Sequence, residues 1–235
     1  MFEYKPLKTL SLITIISLAA NGLSYVPMLI ASLGMMFAPN HQIEMADGTI
    51  INTWFMLIGV GYLFVTPTYI ASVVLFLVWL YRAHKNLGSM KPAHLEYSPG
   101  WAVGWWFIPF ANLVKPFQVV REVWWESDPE IPDEHLFLSA SLHSAPTYMG
   151  LWWAFWLGSN ILSNIASRVF DPERPETTST TGFFFSIASL ATIIAAVLAI
   201  RLVSDISSRQ AARFENARAT FSDGPPPPPT FGEGQ

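Results

Sequence analysis

Asn112, Lys115, Gln118 and Glu122 lie at spacings that a helix gathers, and they have the best claim in this chain to a binding chemistry. Lys115, Gln118 and Glu122 share one helical face over two turns, while Phe117, Val120 and Trp124 form an apolar stripe on another. Together with Arg82, earlier in the chain, the ammonium, amides and carboxylate support two readings. One is an ion-pair cluster that pins this helix to the end of the preceding span. The other is a small polar pocket under a wall of interface aromatics, Trp101, Trp105, Trp106 and Trp124, suited to an anionic lipid headgroup or another anion.

The other reactive residue types build no recognised catalytic arrangement. His41, His84, His94, His135 and His143 are scattered, without the His-Glu-x-x-His spacing that sets two imidazoles on one metal, and read as loop or interface residues. Glu134 and His135 are adjacent and would point apart on a helix. His143 has only sequence proximity to recommend it as a base for Ser139, Ser141 or Ser144. No glycine-rich phosphate loop or dinucleotide fingerprint occurs. Zero cysteines remove thiol nucleophiles and thiolate metal sites. Every Asp and Glu lies outside the four expected spans, against the intramembrane ionisable residues that coupled transporters use. No catalytic residue, cofactor or metal is expected. A net charge of -4 offers nucleic acid no basic surface.

The elements that must position the polar group are membrane helices. Of the 235 residues, 51% are hydrophobic and only 13% charged, against roughly 25% charged in an average chain. Stretches of about 20 apolar residues cross a bilayer as helices, and spans are expected at about 10–38, 54–80, 146–167 and 183–203. Residues 1–9 form a short N-terminus. The first run is far longer than a signal-peptide core and reads as a retained span. Pro67 predicts a kink in the second. Gly150, Ala154 and Gly158, and likewise Ala191, Ala195 and Ala199, recur at i, i+4 and predict helix–helix seams. Ser159, Asn160, Ser163, Asn164 and Ser167 form a polar stripe that should face protein or water. Residues 221–235, with five consecutive prolines, read as a disordered tail.

A fifth apolar window, about 98–126, decides the topology. If it crossed, the cytoplasmic ends would hold seven Lys and Arg and leave Arg201, Arg209, Arg213 and Arg218 outside. If it enters and leaves on the cytoplasmic side, eleven of the thirteen Lys and Arg lie inside, and only Arg168 and Arg174 lie out. Pro99, Pro109 and Pro116 with Gly100 and Gly104 also argue against one straight crossing helix. Tryptophans at 101, 105, 106, 124 and 125 favour the headgroup zone, and Pro116 suits the first turn of a helix lying there.

The same residues carry a resemblance. Tyr81-Arg82-Ala83, Asn86-Leu87, the run from Ser98-Pro99-Gly100-Trp101 to Phe107-Ile108-Pro109, Lys115-Pro116-Phe117-Gln118 and Arg121-Glu122-Val123-Trp124 resemble an uncharacterised bacterial membrane family. That family is catalogued as domain of unknown function 4328. The resemblance covers roughly residues 50–210, closes on Ile206-Ser207-Ser208-Arg209-Gln210, and implies a class without an activity.

The expected fold is all-α: an integral membrane bundle of four transmembrane helices within a single domain, 10–220, plus a cytoplasmic-side re-entrant or interfacial segment. The expected place is a bacterial inner membrane, multi-pass, with both termini cytoplasmic. A non-enzymatic scaffolding, assembly or sensing role is expected, with the lipid bilayer, a membrane-protein partner or a second copy as partners. A small channel or transporter would instead show a continuous polar path from Asn160 and Asn164 to the Lys115 region. A lipid-modifying enzyme would show a tight His–Ser or carboxylate pair.

Overall fold

The computed structural model describes residues 4–89, 95–130, 145–171, 174 and 176–222. Its helices are α1 (Lys8–Phe37), α2 (Thr53–Leu87), α3 (Pro99–Gly104), α4 (Lys115–Glu126), α5 (Thr147–Val169) and α6 (Thr177–Ser222). α1, α2 and α6 are long and apolar enough to cross a membrane. At 1.5 Å per residue, the 30 residues of α1 reach about 45 Å, beyond the roughly 30 Å of a hydrocarbon core. The fourth window folds as the 23-residue α5, whose Ser and Asn stripe and three tryptophans make it less apolar than the other three. The chain is thus mostly helical, and its three long apolar helices suggest a multi-pass membrane protein.

The long helices pack side by side in the order α2–α1–α6–α5. Neighbours run antiparallel: Ser72 Oγ donates to the Ser17 carbonyl at 2.8 Å, and Ser24 meets Thr68 at 3.2 Å, both across α1 and α2. Such hydroxyl bonds suit a seam where lipid tails offer no competing hydrophobic drive. The seam between α1 and α6 is closer still. A Cβ on Gly22 would lie 3.1 Å from the Ala196 methyl, and Ala191, Ala195 and Ala199 are buried in α6. The small residues of α5 behave differently. No other group lies within 4 Å of a Cβ built on Gly150 or Gly158, and Ala154 is exposed, so the seam expected there is not used within the chain. α2 continues as one helix through Pro67.

Between α1 and α2 the chain makes a small hairpin of β1 (Gln42–Glu44) and β2 (Ile50–Asn52). Gly48 takes the left-handed conformation its turn requires (φ 82°), and the Asp47 carboxylate accepts the Thr49 N–H at 3.0 Å. Asn52 then caps α2 by accepting the N–H of Trp54.

The window 98–126 begins and ends at the end of the bundle that carries the α2 C-terminus. Ser98 caps α3, and Pro99 starts it without losing a hydrogen bond. α3 lasts six residues and tightens into a 3-10 turn at Trp105–Phe107. Ile108 is extended, as a residue before proline must be. The chain reverses at Phe110, whose φ of 64° and ψ of -41° centre a γ-turn closed by the Ala111 N–H to the Pro109 carbonyl at 2.8 Å. A second 3-10 turn, Ala111–Leu113, leads into α4, with Pro116 in its first turn. Phe110 is 85% exposed, so its ring offsets little of the strain within the protein. Phe110→Gly should therefore relieve about 1 kcal/mol and raise the unfolding midpoint in detergent by about 2–4 °C. A lowered midpoint would show that the ring itself holds the turn.

Candidate functional site

The hairpin of residues 98–114 rises between α2 and α5 and forms the floor of a cavity of about 390 Å³, within the roughly 300–1,000 Å³ of small-molecule pockets. All four long helices contribute walls: Asn21 and Tyr25 from α1, Tyr69 and Ser72 from α2, Ser159, Asn160 and Ser163 from α5, and Thr192 from α6. The floor is aromatic. Trp106 meets Phe76, Trp153 and Trp156 edge-on at centroid distances of 5.7, 5.8 and 5.5 Å, and Phe76 lies 5.8 Å from Trp152. The Trp153 indole N–H donates to the Leu113 carbonyl at 3.0 Å and ties the hairpin to α5. Among the described residues no charged side chain lines the cavity. Tyr69, Phe107 and Asn160 are exposed members of its lining and mark its mouth between α2 and α5.

The polar group anticipated around α4 is partly gathered. Tyr97 joins two of its members: the phenol donates to Gln118 Oε1 at 2.9 Å and accepts from Lys115 Nζ at 3.2 Å. Lys115 also sits over the rings of Tyr97 and Trp105 and approaches Glu96 at 4.0 Å. Burial holds the Tyr97 phenol above its ordinary range, so it stays a neutral donor. The ion pair expected between Lys115 and Glu122 is not formed. Glu122 instead meets His84 Nε2 at 3.1 Å and accepts the backbone N–H groups of Glu96 and Tyr97. Asn112 stands apart from these residues, in the cavity lining, and Arg82 forms no ion pair with Glu122. Of the tryptophans, Trp106 is in the floor, Trp101 and Trp105 lie tilted beside each other with ring centroids 4.7 Å apart, and Trp124 lies under Arg209. Lys115 lines no part of the cavity, so the polar surface at Asn160 does not continue to it. Lys91, His94 and residues 131–144, with His135, His143 and the serines beside them, lie outside the described residues, as does the proline run of the tail.

Sequence reasoning did not anticipate a second polar assembly at the same end of the bundle. Asn86 Nδ2 donates to the Lys5 carbonyl (2.9 Å) and to Gln210 Oε1 (3.2 Å), while its Oδ1 accepts the Lys5 N–H (3.1 Å). Gln210 Nε2 donates to the Ala83 carbonyl (2.9 Å) and to Ser127 Oγ (3.1 Å). Arg209 pairs with Asp128 at 2.6 Å and covers the Trp124 ring, and the Tyr148 hydroxyl donates to Asp205 at 2.6 Å. His84, expected at a loop or interface, is fully buried. Arg213 donates to the Glu126 carbonyl, and burial pushes the Glu126 carboxyl above the usual carboxylate range. This clasp locks the chain's start, the end of α2, α4 and the far part of α6 into one block. His84, Asn86 and Gln210 stand in polar stretches, Arg82-Ala83-His84-Lys85-Asn86 and Ser207-Ser208-Arg209-Gln210, so local contrast does not single them out, although once buried their alternative to pairing is an unsatisfied group.

No curated protein and no solved structure matches the chain. A family match covers the chain from the hairpin after α1 to Ser208 in α6, and so leaves out α1 and the clasp's Lys5, Arg209, Gln210 and Arg213. Over residues 39–208 the chain matches, and so belongs to, the family described as Domain of unknown function (DUF4328).

Proposed function

We propose that this is a four-span protein of a bacterial inner membrane, with both termini cytoplasmic, that holds a ligand inside the bilayer and serves a sensing rather than a catalytic role. The observation that carries the reading is the cavity: four long helices and a hairpin enclose it at mid-height, and its lining is polar and aromatic but uncharged. A site with no carboxylate, imidazole or ammonium has no general acid or base of ordinary strength, which supports binding over turnover. The aromatic floor separates the cavity from Lys115, which supports a closed receptor over a conducting path. In this arrangement residues 98–126 are a re-entrant hairpin followed by an interfacial helix. The clasp, with its arginines, faces the cytoplasm, where Lys and Arg collect. α5 is the fourth span. Its Ser and Asn stripe is accommodated because Asn160, Asn164 and Ser167 bond to their own helix's carbonyls or face the cavity.

The absence of cysteine makes the topology directly testable. Single cysteines at Glu130 and Arg218 should react with a membrane-impermeant thiol reagent only once the cytoplasmic face is opened. Cysteines at Glu44 and Arg174 should react from outside in intact cells. Labelling of Glu130→Cys and Arg218→Cys from opposite sides would remove the four-span arrangement.

A further inference from the structure

The ligand's chemistry follows from atoms that the protein leaves without partners. Asn21 is only 6% exposed, and its Oδ1, in the cavity wall, accepts no hydrogen bond. The buried Nε1 of Trp106, in the floor, donates none. Within a bilayer no water compensates such groups cheaply, so an unpaired acceptor and an unpaired donor on residues that line one cavity are matched by a ligand that supplies both. The rest of the wall leans the same way. The hydroxyl protons of Ser72, Ser159 and Thr192 are already given to backbone carbonyls, leaving lone pairs for the cavity. Asn160 gives one of its two amide hydrogens to the Trp156 carbonyl and keeps the other. With the phenols of Tyr25 and Tyr69, the wall thus offers both lone pairs and donors, and among the described residues it carries no charge. An anion would meet lone pairs without a cation, and a bare cation would meet the positive edge of the Trp106 N–H.

We infer that the cavity binds an uncharged, hydroxyl-bearing lipid. Its hydroxyl donates toward Asn21 Oδ1 and the acceptors beside it, and an oxygen of its head accepts from Trp106 Nε1. Its apolar body lies on the aromatic floor and leaves between α2 and α5 past Tyr69 and Phe107. This assignment rests on the sensing reading above, and it differs from an anionic headgroup at Lys115, which lies outside the cavity.

A diacylglycerol carrying a diazirine in one acyl chain tests it against the phosphatidic acid of identical chains, both offered to the full-length protein in mild detergent. Peptide mass spectrometry should find adducts of the diacylglycerol in the Tyr69–Phe76 and Trp152–Ser163 stretches, at least tenfold above those of the anionic lipid. Asn21→Leu deletes the amide at nearly constant volume, and Trp106→Phe deletes the indole N–H while keeping an aromatic, though smaller, floor; each should weaken labelling about tenfold, as loss of one hydrogen bond would. Equal labelling by the two lipids, adducts confined to the outer surface around Phe110, or unchanged labelling in both variants would overturn the assignment. The cysteine mapping, run on the same preparations, separates the two failures. Correct sidedness with any of these labelling results removes the ligand alone, and wrong sidedness removes the sensing arrangement itself.

Discussion

Asn86→Leu should lower the unfolding midpoint of the purified protein in detergent by about 6–12 °C, corresponding to about 3 kcal/mol. The side chain is buried, and leucine fills nearly the same space, so packing is kept and the loss is polar. Three partners lose it at once: the Lys5 N–H, the Lys5 carbonyl and Gln210 Oε1. The Lys5 groups regain water as the chain's start detaches, which limits the cost. Gln210 is fully buried and keeps an orphaned carbonyl oxygen. Gln210→Leu should cost a similar amount, because the Ala83 carbonyl and Ser127 hydroxyl then lose their donor. The double variant is decisive. Once one amide is gone, removing the other forfeits no bond between them and removes the orphan, so the combined loss should fall short of the sum by 1 kcal/mol or more. Additivity within about 0.5 kcal/mol would mean that the two amides act separately and that the clasp is not a unit.

Much of this architecture was legible in the sequence, because the bilayer makes hydropathy and charge placement strong constraints. The long helices, the kinship of residues 39–208 and the interruption of the fifth window all follow from composition, motif and proline spacing. The less legible features depended on pairing across large sequence distances. Asn86 and Gln210 are 124 residues apart, and His84 meets Glu122 across 38, so no local spacing announces either contact. The polar residues around α4 were identified, but Tyr97, which bridges Lys115 and Gln118, sits outside the helical periodicity that singled them out. The cavity was hidden for a similar reason. Asn21 is a single polar residue within an apolar run, and only the fold brings it to the same cavity as Trp106 and the α5 stripe. The short hairpin after α1 could have been seen, since Asp47-Gly48 is a turn signal, but its strands are three residues each and fall below any useful period.

Gly182→Leu should be at least as damaging as any change in the clasp. A Cβ at Gly182 would stand 2.7 Å from both the Met36 nitrogen and the Ser32 carbonyl oxygen, and 2.8 Å from the Met35 Cβ. These are backbone atoms and a Cβ, so no rotamer change makes room and α1 and α6 must separate. Separation breaks the Ser186–Ser32 bond at 3.1 Å and loosens the buried contacts around Ala188 and Ala191. The expected loss is about 3 kcal/mol or more, an unfolding midpoint lowered by about 6–12 °C, and Gly182→Ala should already show part of it. The α5 glycines provide the contrast. Gly150→Ala and Gly158→Ala meet nothing within 4 Å and should be neutral or stabilising by about 0.5–1 kcal/mol through helix propensity alone. Size-exclusion chromatography of the same variants separates two causes should the α5 changes prove harmful. A shift to a smaller assembly with an unchanged monomer midpoint would assign the Gly150–Gly158 face to a partner helix. A lowered midpoint at constant size would mean that α5 packs more closely within the chain than its open glycines indicate. A tolerated Gly182→Leu would contradict the close α1–α6 seam on which the shape of the cavity depends.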